Sequence, residues 1–401
     1  MVHGRKILLG VTGSIAAFKA VFLARELMRR GAEVRVVMTA AATEFVGPLT
    51  FATLTGHRVY SDFTEDADQG TWTNHVDLGL WADLFLVAPA TAETLAAFAS
   101  GACSNFLQAV HLSSRCEVMV APAMDLDMFA HGATQQNLLT LRERGVSVVE
   151  PGSGALASGL EGKGRMEEPE RIADAVEAHF LDRAPWRGQR VLITAGPTHE
   201  PIDAVRFIGN RSSGKMGVAL AAEWVKQGAE VTLLLGPTSI APPAGCAEVV
   251  RFETAEELNA LAQARWPEAD WGIAAAAVAD VRPAFAHEAK VHRVDLPAAI
   301  PLAPTPDILA QWGASKRPNQ RLVGFALETD EGRSSAESKF HRKQLDCIVL
   351  NTLLDDGAGF QTDTNKVSIY AGANWHTFEL KSKAAVAADL VAFLHPYCNP
   401  S

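Results

Sequence analysis

The chain has 401 residues, a formal net charge of −10 and an almost half apolar composition. That length suits two domains of about 200 residues, each with a core of its own. No apolar run is long and uncharged enough to span a bilayer, Met1-Val2-His3-Gly4-Arg5-Lys6 leads into a strand instead of a secretory signal, and the acidic balance argues against nonspecific nucleic-acid binding.

Five scattered cysteines (Cys103, Cys116, Cys246, Cys347, Cys398) show no CxxC spacing, which excludes a disulfide frame and a structural zinc site and fits a reduced cytoplasm. The first strand is predicted over 6–10 and runs through Gly10-Val11-Thr12-Gly13-Ser14 into a helix over 15–30. Such a turn aims backbone N–H groups and a helix N-terminus at one spot, which favours phosphate. The spacing is not GxGxxG, and the next strand, 33–38, ends at Val37-Met38-Thr39 without an acid for a ribose hydroxyl. Both features argue against NAD and are tolerated by FMN, which has one phosphate and no adenosine ribose.

Further strands are predicted over 84–88, 117–121 and 146–149, with helices over 91–99 and 135–144. Uninterrupted apolar strands such as Leu84-Phe85-Leu86-Val87 suit a parallel sheet covered on both faces. Asn74-His75-Val76 sets a histidine before a helical run. Ala88-Pro89-Ala90-Thr91-Ala92 and Ala121-Pro122-Ala123-Met124-Asp125-Leu126-Asp127-Met128 follow strand ends, where sites of open α/β sheets lie. Singly, His75 reads as a capping or surface residue, Asp125 and Asp127 as turn or N-cap residues, and Met124 and Met128 as core filler.

The pattern breaks at Ala184-Pro185-Trp186-Arg187-Gly188, which divides the chain into 1–187 and 188–401. A second strand-to-small-turn unit, Val191-Leu192-Ile193-Thr194-Ala195-Gly196-Pro197-Thr198, opens the second half. Strands over 231–235, 272–276, 322–325 and 347–351 alternate with helices over 216–227, 255–264, 306–312 and 384–394, and 365–370 with 375–380 reads as a late hairpin. The fold class is α/β, with two doubly wound, Rossmann-like domains. Gly209-Asn210-Arg211-Ser212-Ser213-Gly214-Lys215-Met216 nearly spells a P-loop, but Met216 replaces the Mg²⁺-holding hydroxyl and no strand is predicted directly before Gly209.

In this order, the first-half segments resemble the FMN-dependent phosphopantothenoylcysteine decarboxylases, and the string from Thr194 to Gly217 resembles the signature of phosphopantothenate–cysteine ligase. Nearly the whole chain is similar to the fused bacterial family of coenzyme A synthesis. The resemblance implies that Gly13, Ser14 and Ile15 hold the FMN phosphate, that Thr39, Phe45, Pro89, Ala90 and Thr91 contact the flavin, and that His75 is the catalytic base. In that family the thiol end is oxidised by FMN to a thioaldehyde so that CO₂ can leave the adjacent carbon, and hydride and a proton then return.

Two positions depart from the family pattern. Asp125 stands where an asparagine usually binds the substrate carboxylate; a protonated Asp125 would donate the same hydrogen bond. Ser158 stands where a cysteine usually returns the proton, and a hydroxyl is a far weaker acid than a thiol of pKa about 8.5. Either Ser158 relays a proton from water, or Cys103 substitutes, or the half-reaction stalls and the flavodomain serves as a binding or regulatory module beside an active ligase. A nucleotide-dependent oxidoreductase with two Rossmann units is the other rival.

For the second half the resemblance implies a CTP-dependent ligase that passes through an acyl-cytidylate contacted by Asn210. Ala275, Ala276 and Asp280 would border the nucleotide, Asp280 through Mg²⁺, together with Lys290, Pro306, Asp307, Ile308, Leu309 and Phe325. Lys339 and Lys343, four apart on one helical face, would reach the triphosphate. Lys290 is followed by Val291-His292-Arg293 in place of the family's lysine-rich run. Asn351, Gly359, Phe360, Asp363 and Asn365 match a later family segment without an assigned role. The implied partners are 4′-phosphopantothenate, cysteine and CTP in a cytoplasmic homo-oligomer with shared flavin sites and paired ligase domains; no membrane or nucleic acid is implied.

Overall fold

Two sheets organise the chain, and the six strands of the first share their order with the first six of the second. The computed structural model describes residues 2–66, 71–156, 158–292, 298–328, 332–352 and 362–397; Arg293, Gly359, Phe360 and Cys398, noted above, lie outside these. The chain divides into two units, Met1–Asp182 and Arg183–Ser401.

The first unit carries six parallel strands: β1 (Lys6–Val11), β2 (Glu33–Met38), β3 (Val59–Tyr60), β4 (Leu84–Ala90), β5 (Glu117–Pro122) and β6 (Ser147–Val148). Their order is β3-β2-β1-β4-β5-β6, with Ile7 level with Val34 on one side and Leu84 on the other. Alternate side chains of the apolar strands feed two cores. Ile7, Leu9 and Val11 pack with Leu23 and Leu27 of the helix Ala17–Arg29 and with Ile172 and Val176 of the helix Pro169–Asp182. Leu8, Phe85 and Val87 pack with Leu95, Phe98, Leu107 and Leu138 on the opposite face. Full burial of each such side chain contributes roughly 1.5–3 kcal/mol.

The second unit repeats the plan with β7 (Arg190–Ala195), β8 (Glu230–Leu235), β9 (Glu248–Arg251), β10 (Trp271–Ala274), β11 (Arg321–Glu328), β12 (Cys347–Thr352), β13 (Ser368–Tyr370) and β14 (Trp375–Thr377). The order is β9-β8-β7-β10-β11-β12-β13-β14; the first six are parallel and the last two antiparallel. In each sheet the order reverses beside the first strand, between β1 and β4 and between β7 and β10. Crevices at the carboxyl ends of strands open at such switch points. Trp186 meets Trp224 and Trp271 at ring-centroid distances of 4.0 and 5.2 Å, which ties the segment after Arg183 to the second unit.

Several local features differ from the sequence reading. The helix expected over 306–312 runs Ile308–Ser315, because the Asp307 carboxylate accepts from the Ala310 N–H and so caps the helix after Pro306. A short strand, Phe207–Gly209, does precede the Gly-rich loop; it pairs antiparallel with His199–Pro201, outside the parallel sheet. The late hairpin is β13–β14, whereas Asn365 pairs separately with Lys381.

Candidate functional site

At the β1/β4 switch point the strand ends are laced together by threonines. The Thr12 hydroxyl donates to Pro89 O at 2.7 Å and accepts from the Thr91 N–H at 3.2 Å. Thr91 caps the nine-residue helix Ala92–Ser100, and Thr39 caps the turn that follows β2. Gly13 cannot carry a side chain, since a Cβ there would lie 2.5 Å from the Ala41 Cβ. The Ser14 hydroxyl accepts from the Ala16 N–H, and Ile15 and Phe45 stand 60% and 47% exposed. Gly13, Ser14, Ile15, Thr39, Pro89, Ala90 and Thr91 therefore share one end of the sheet, with N–H-rich helix starts of the kind that hold a phosphate.

A cavity of about 380 Å³ opens beside this cradle, lined by Ser14, Phe18 and Lys19, by Met124 and Asp125, and by Leu156, Arg165 and other residues of a hairpin formed by Gly152–Ala155 and Glu161–Arg165. Asp125 starts the helix Leu126–Ala130 but makes no side-chain cap bond, so its carboxylate is left to the cavity. The hairpin is fixed at its base. Met124 N–H donates to Gly164 O at 3.0 Å, and Gly164, at φ +149°, passes so close to Met124 O that a Cβ would sit 2.5 Å from it. Lys19, 5% exposed, donates to Met166 O at 2.9 Å and to Glu168 Oε1 at 3.0 Å. That ammonium is the main reason the Glu168 carboxyl is held below the usual carboxylate range. Arg165 also reaches Glu168, at 2.9 Å.

His75 opens the helix His75–Trp81, which Asn74 caps at the Val76 N–H. Its Nδ1 is buried without a hydrogen-bond partner, and Phe63, Trp72 and Phe106 surround the ring edge-on at 5.9, 6.3 and 6.5 Å. His75 does not line the Asp125 cavity. Ser158 is exposed near the outer end of the hairpin, accepts from the Leu160 N–H at 3.4 Å, and lies off the cavity wall as well.

The second unit has two adjoining cavities, of about 360 and 330 Å³, at the β7/β10 switch point. They share Ala276, Val278, Asp280, Phe325 and Lys339. Asn210, on the rim of the first, donates from Nδ2 to Ala277 O and Val278 O, each at 3.1 Å. That cavity also holds Ala275, the start of the helix Lys215–Lys226, and two lysines. Lys215 pairs with Asp363 at 2.5 Å; Lys383, 6% exposed, donates to Thr362 O at 2.7 Å, and burial and then Lys215 push its pKa down.

Pro306, Asp307, Ile308, Leu309 and Lys343 line the second cavity. Lys343 bonds Asp307 at 2.7 Å; burial works against the Asp307 carboxylate, yet this ammonium holds its pKa below the ordinary value. Lys339 donates to Phe325 O at 3.1 Å, and burial, with Lys343 nearby, lowers its pKa. Lys290 is exposed and lines neither cavity; its segment is tied down by Val291 N–H to Asp203 Oδ2 at 3.2 Å and His287 N–H to Ile202 O at 3.0 Å. Asp280 is exposed on the shared wall, and among the described residues no three acidic, His or Cys side chains converge as a metal cluster.

Sequence reasoning did not single out Lys19 or Lys383; each is joined to its partners or cavity by folding alone, and no local spacing marks it. Arg165, whose Gly164-Arg165-Met166 run matches the family loop, lines the first unit's cavity.

Residues 1–181 match the family model described as Flavoprotein, and residues 186–397 match the DNA/pantothenate metabolism flavoprotein C-terminal domain. A curated relative from an unknown prokaryotic organism, named cysteine/cysteine sulfinic acid decarboxylase, is 49% identical over 351 residues, 86% of this chain and 98% of that protein. The coenzyme A biosynthesis bifunctional protein CoaBC of Bacillus subtilis strain 168 is 42% identical over 372 residues, 92% of this chain and 91% of that protein. Its namesake from Vibrio vulnificus strain YJ016 is 39% identical over 390 residues, 97% of this chain and 96% of that one.

Proposed function

Because the chain belongs to the family of bifunctional coenzyme A biosynthesis proteins, we propose that its second unit joins 4′-phosphopantothenate to cysteine at the expense of CTP and that its first unit decarboxylates the product to 4′-phosphopantetheine. The observation that carries the ligase reading is the wall common to the two cavities. A nucleoside beside Pro306–Leu309 and phosphates beside the start of the helix Lys215–Lys226 would meet at Ala276, Asp280 and Lys339. There the acid carboxylate attacks the α-phosphate, pyrophosphate leaves, and the cysteine amine displaces cytidylate. Asn210 orients the acyl-cytidylate, and Lys339 and Lys343 offset the charge that builds up on phosphate. Lys290 contributes a further cation to the nucleotide from its exposed segment. Mg²⁺ bound mainly by triphosphate oxygens would take Asp280 as its one protein carboxylate.

In the first unit the Gly13 close approach and the helix start at Thr91 fit a single phosphate, and the relatives' flavoprotein family supports FMN as the bound group. When bound, FMN supplies reversible hydride acceptance from the thiol-bearing carbon. His75 takes the thiol proton, Asp125 in its protonated form donates to the substrate carboxylate, and Ser158 relays a proton from water to the product carbon. The relative named as a decarboxylase of cysteine supports loss of CO₂ from a cysteine carboxylate as this unit's chemistry. His75 does not line the cavity that Asp125 lines, and Ile15, Phe18, Phe22 and Phe45 leave apolar rings and chains exposed beside the flavin loop. Both facts support a homo-oligomer in which protomers share flavin sites. The substrates and the free thiols Cys103, Cys116, Cys246 and Cys347 fit a cytoplasmic enzyme.

Supplying the full chain with 4′-phosphopantothenate, cysteine, CTP and Mg²⁺, and following products by mass, tests the proposal. The acylated cysteine must appear with stoichiometric CMP and pyrophosphate, then lose the mass of CO₂. Consumption of CTP without an acyl-cysteine product would refute the ligase half, and an acyl-cysteine that persists would refute the decarboxylase half.

A further inference from the structure

The second cavity of the ligase unit ends abruptly within the sheet. Thr194 on β7 and Ala274 on β10 stand level with each other and line it, and Gly324 on β11 is level with both. Two residues back along the same strands, Leu192, Gly272 and Leu322 are again level with one another, and all three are buried. Two strand residues span about 6–7 Å, so the space gives way to core within that one step. Trp312 is what closes it. It follows Ile308 by four residues and Leu309 by three on the helix Ile308–Ser315, and all three line the cavity from one helical face. Its side chain is fully buried, and its Cε3 would lie 3.1 Å from a Cβ at Gly272, with Trp266 Cζ3 at 2.8 Å. The glycine lets both indoles press on the strand at that level. Trp312 is braced from behind: Trp266 stacks on it at 5.2 Å and 16° and donates from Nε1 to Trp312 O at 3.1 Å, while the buried Gln320 donates to Trp266 O at 2.8 Å.

We propose that Trp312 sets the depth of the nucleobase pocket and makes it select a single-ring base over a purine. The inference rests on the ligase reading given above and adds to it the residue that chooses the nucleotide. A nucleotide whose phosphates meet Ala276, Asp280 and Lys339 lays its base along the strand face toward Ala274. A pyrimidine ends there. The second, fused ring of a purine would reach the level of Gly272 and displace a packed, braced indole, and overpacking of that kind is costly. The wall works by exclusion. It does not tell cytosine from uracil, which share an outline.

The test uses the full chain with Mg²⁺ and without 4′-phosphopantothenate, so that nucleotide is bound and not consumed. Dissociation constants for CTP and ATP are measured by titration calorimetry for wild type, Trp312→Leu and Trp312→Ala. Wild type should bind CTP at least about tenfold more tightly than ATP. Trp312→Leu opens apolar space at the wall and should narrow that ratio to within about threefold by gaining ATP affinity. Trp312→Ala opens a void approaching the roughly 150 Å³ of cavities that admit benzene, and should narrow it further. A tryptophan that only supports its helix would instead weaken both nucleotides together. A wild type that binds ATP as well as CTP, a leucine variant that binds CTP and keeps the wild-type ratio, or equal loss of both nucleotides in the variants overturns the proposal. Pyrophosphate release after 4′-phosphopantothenate and cysteine are added separates the two readings. CTP that binds with the expected preference but is never cleaved removes the ligase chemistry and leaves the base pocket in place; if wild type binds neither nucleotide, both fall.

Discussion

His111 lies flat on Phe98, with ring centroids 3.7 Å apart and planes 12° from parallel. Its Nδ1 is buried without a partner, and burial pulls its pKa down to about 4. The unfolded chain, with an ordinary histidine near 6.5, therefore binds more protons between these two values. The imidazole's contribution to stability is intact above about pH 6.5 and is lost as pH falls toward 4. Allowing for its partial exposure, the loss is roughly 2 kcal/mol. Denaturant melts of wild type and His111→Leu, compared at neutral and mildly acidic pH, should show the variant losing less stability on acidification.

Lys19 joins the helix after the flavin loop to the base of the substrate hairpin, bridging 147 positions in sequence. Lys19→Met removes a buried ammonium from Met166 O and Glu168 and should cost about 2–4 kcal/mol in the first unit. CO₂ release should fall with it while CTP-dependent condensation continues. A variant with wild-type melting and full CO₂ release would show that the strap is dispensable.

As a proton donor the Ser158 hydroxyl is a far weaker acid than a thiol. Ser158→Cys should raise CO₂-coupled turnover several-fold, because a thiol near pKa 8.5 donates far more readily than a hydroxyl. Ser158→Ala should slow it. Steady-state rates on the acylated cysteine decide, and an alanine variant with unchanged turnover removes Ser158 from the mechanism.

Asn210 is held by two carbonyls, Ala277 O and Val278 O, which only a donor can satisfy. Asn210→Asp sets a carboxylate against both and against the acyl-cytidylate. Condensation should drop by 100-fold or more, a loss on the order of 3 kcal/mol, with decarboxylation of supplied acyl-cysteine unaffected. Coupled pyrophosphate release measures the first and CO₂ release the second.

Lys339 touches both ligase cavities from a half-buried position. Lys339→Gln should raise the KM for CTP about tenfold and lower kcat as well, because the ammonium faces charge that grows during phosphoryl attack. A KM change with kcat intact would confine it to ground-state binding.

Much of the fold was readable because parallel strands buried on both faces leave unbroken apolar runs, as in Leu84-Phe85-Leu86-Val87, and because small-residue turns mark the strand ends. The site segments fell at those ends for the same reason. Side-chain reach was not readable. Lys19 and Lys383 look like ordinary solvated lysines until folding buries them. His75, which the chemistry sets beside Asp125, does not line the Asp125 cavity, and Lys290, which the family resemblance sets at the nucleotide, stands on an exposed segment that lines neither cavity of the second unit. The start of the helix at Ile308 depended on a cap, Asp307, that doubles as the partner of Lys343.

The helix Pro169–Asp182 supplies Ile172, Ala173 and Val176 to the same core as β1, although it follows every strand of that sheet. Anyone severing the polypeptide to obtain the flavin half alone must therefore cut beyond it. A fragment stopped after the hairpin at Arg165 would expose the flank of its first strand and aggregate, whereas one carried through Asp182 keeps its whole interior and purifies as a free-standing protein.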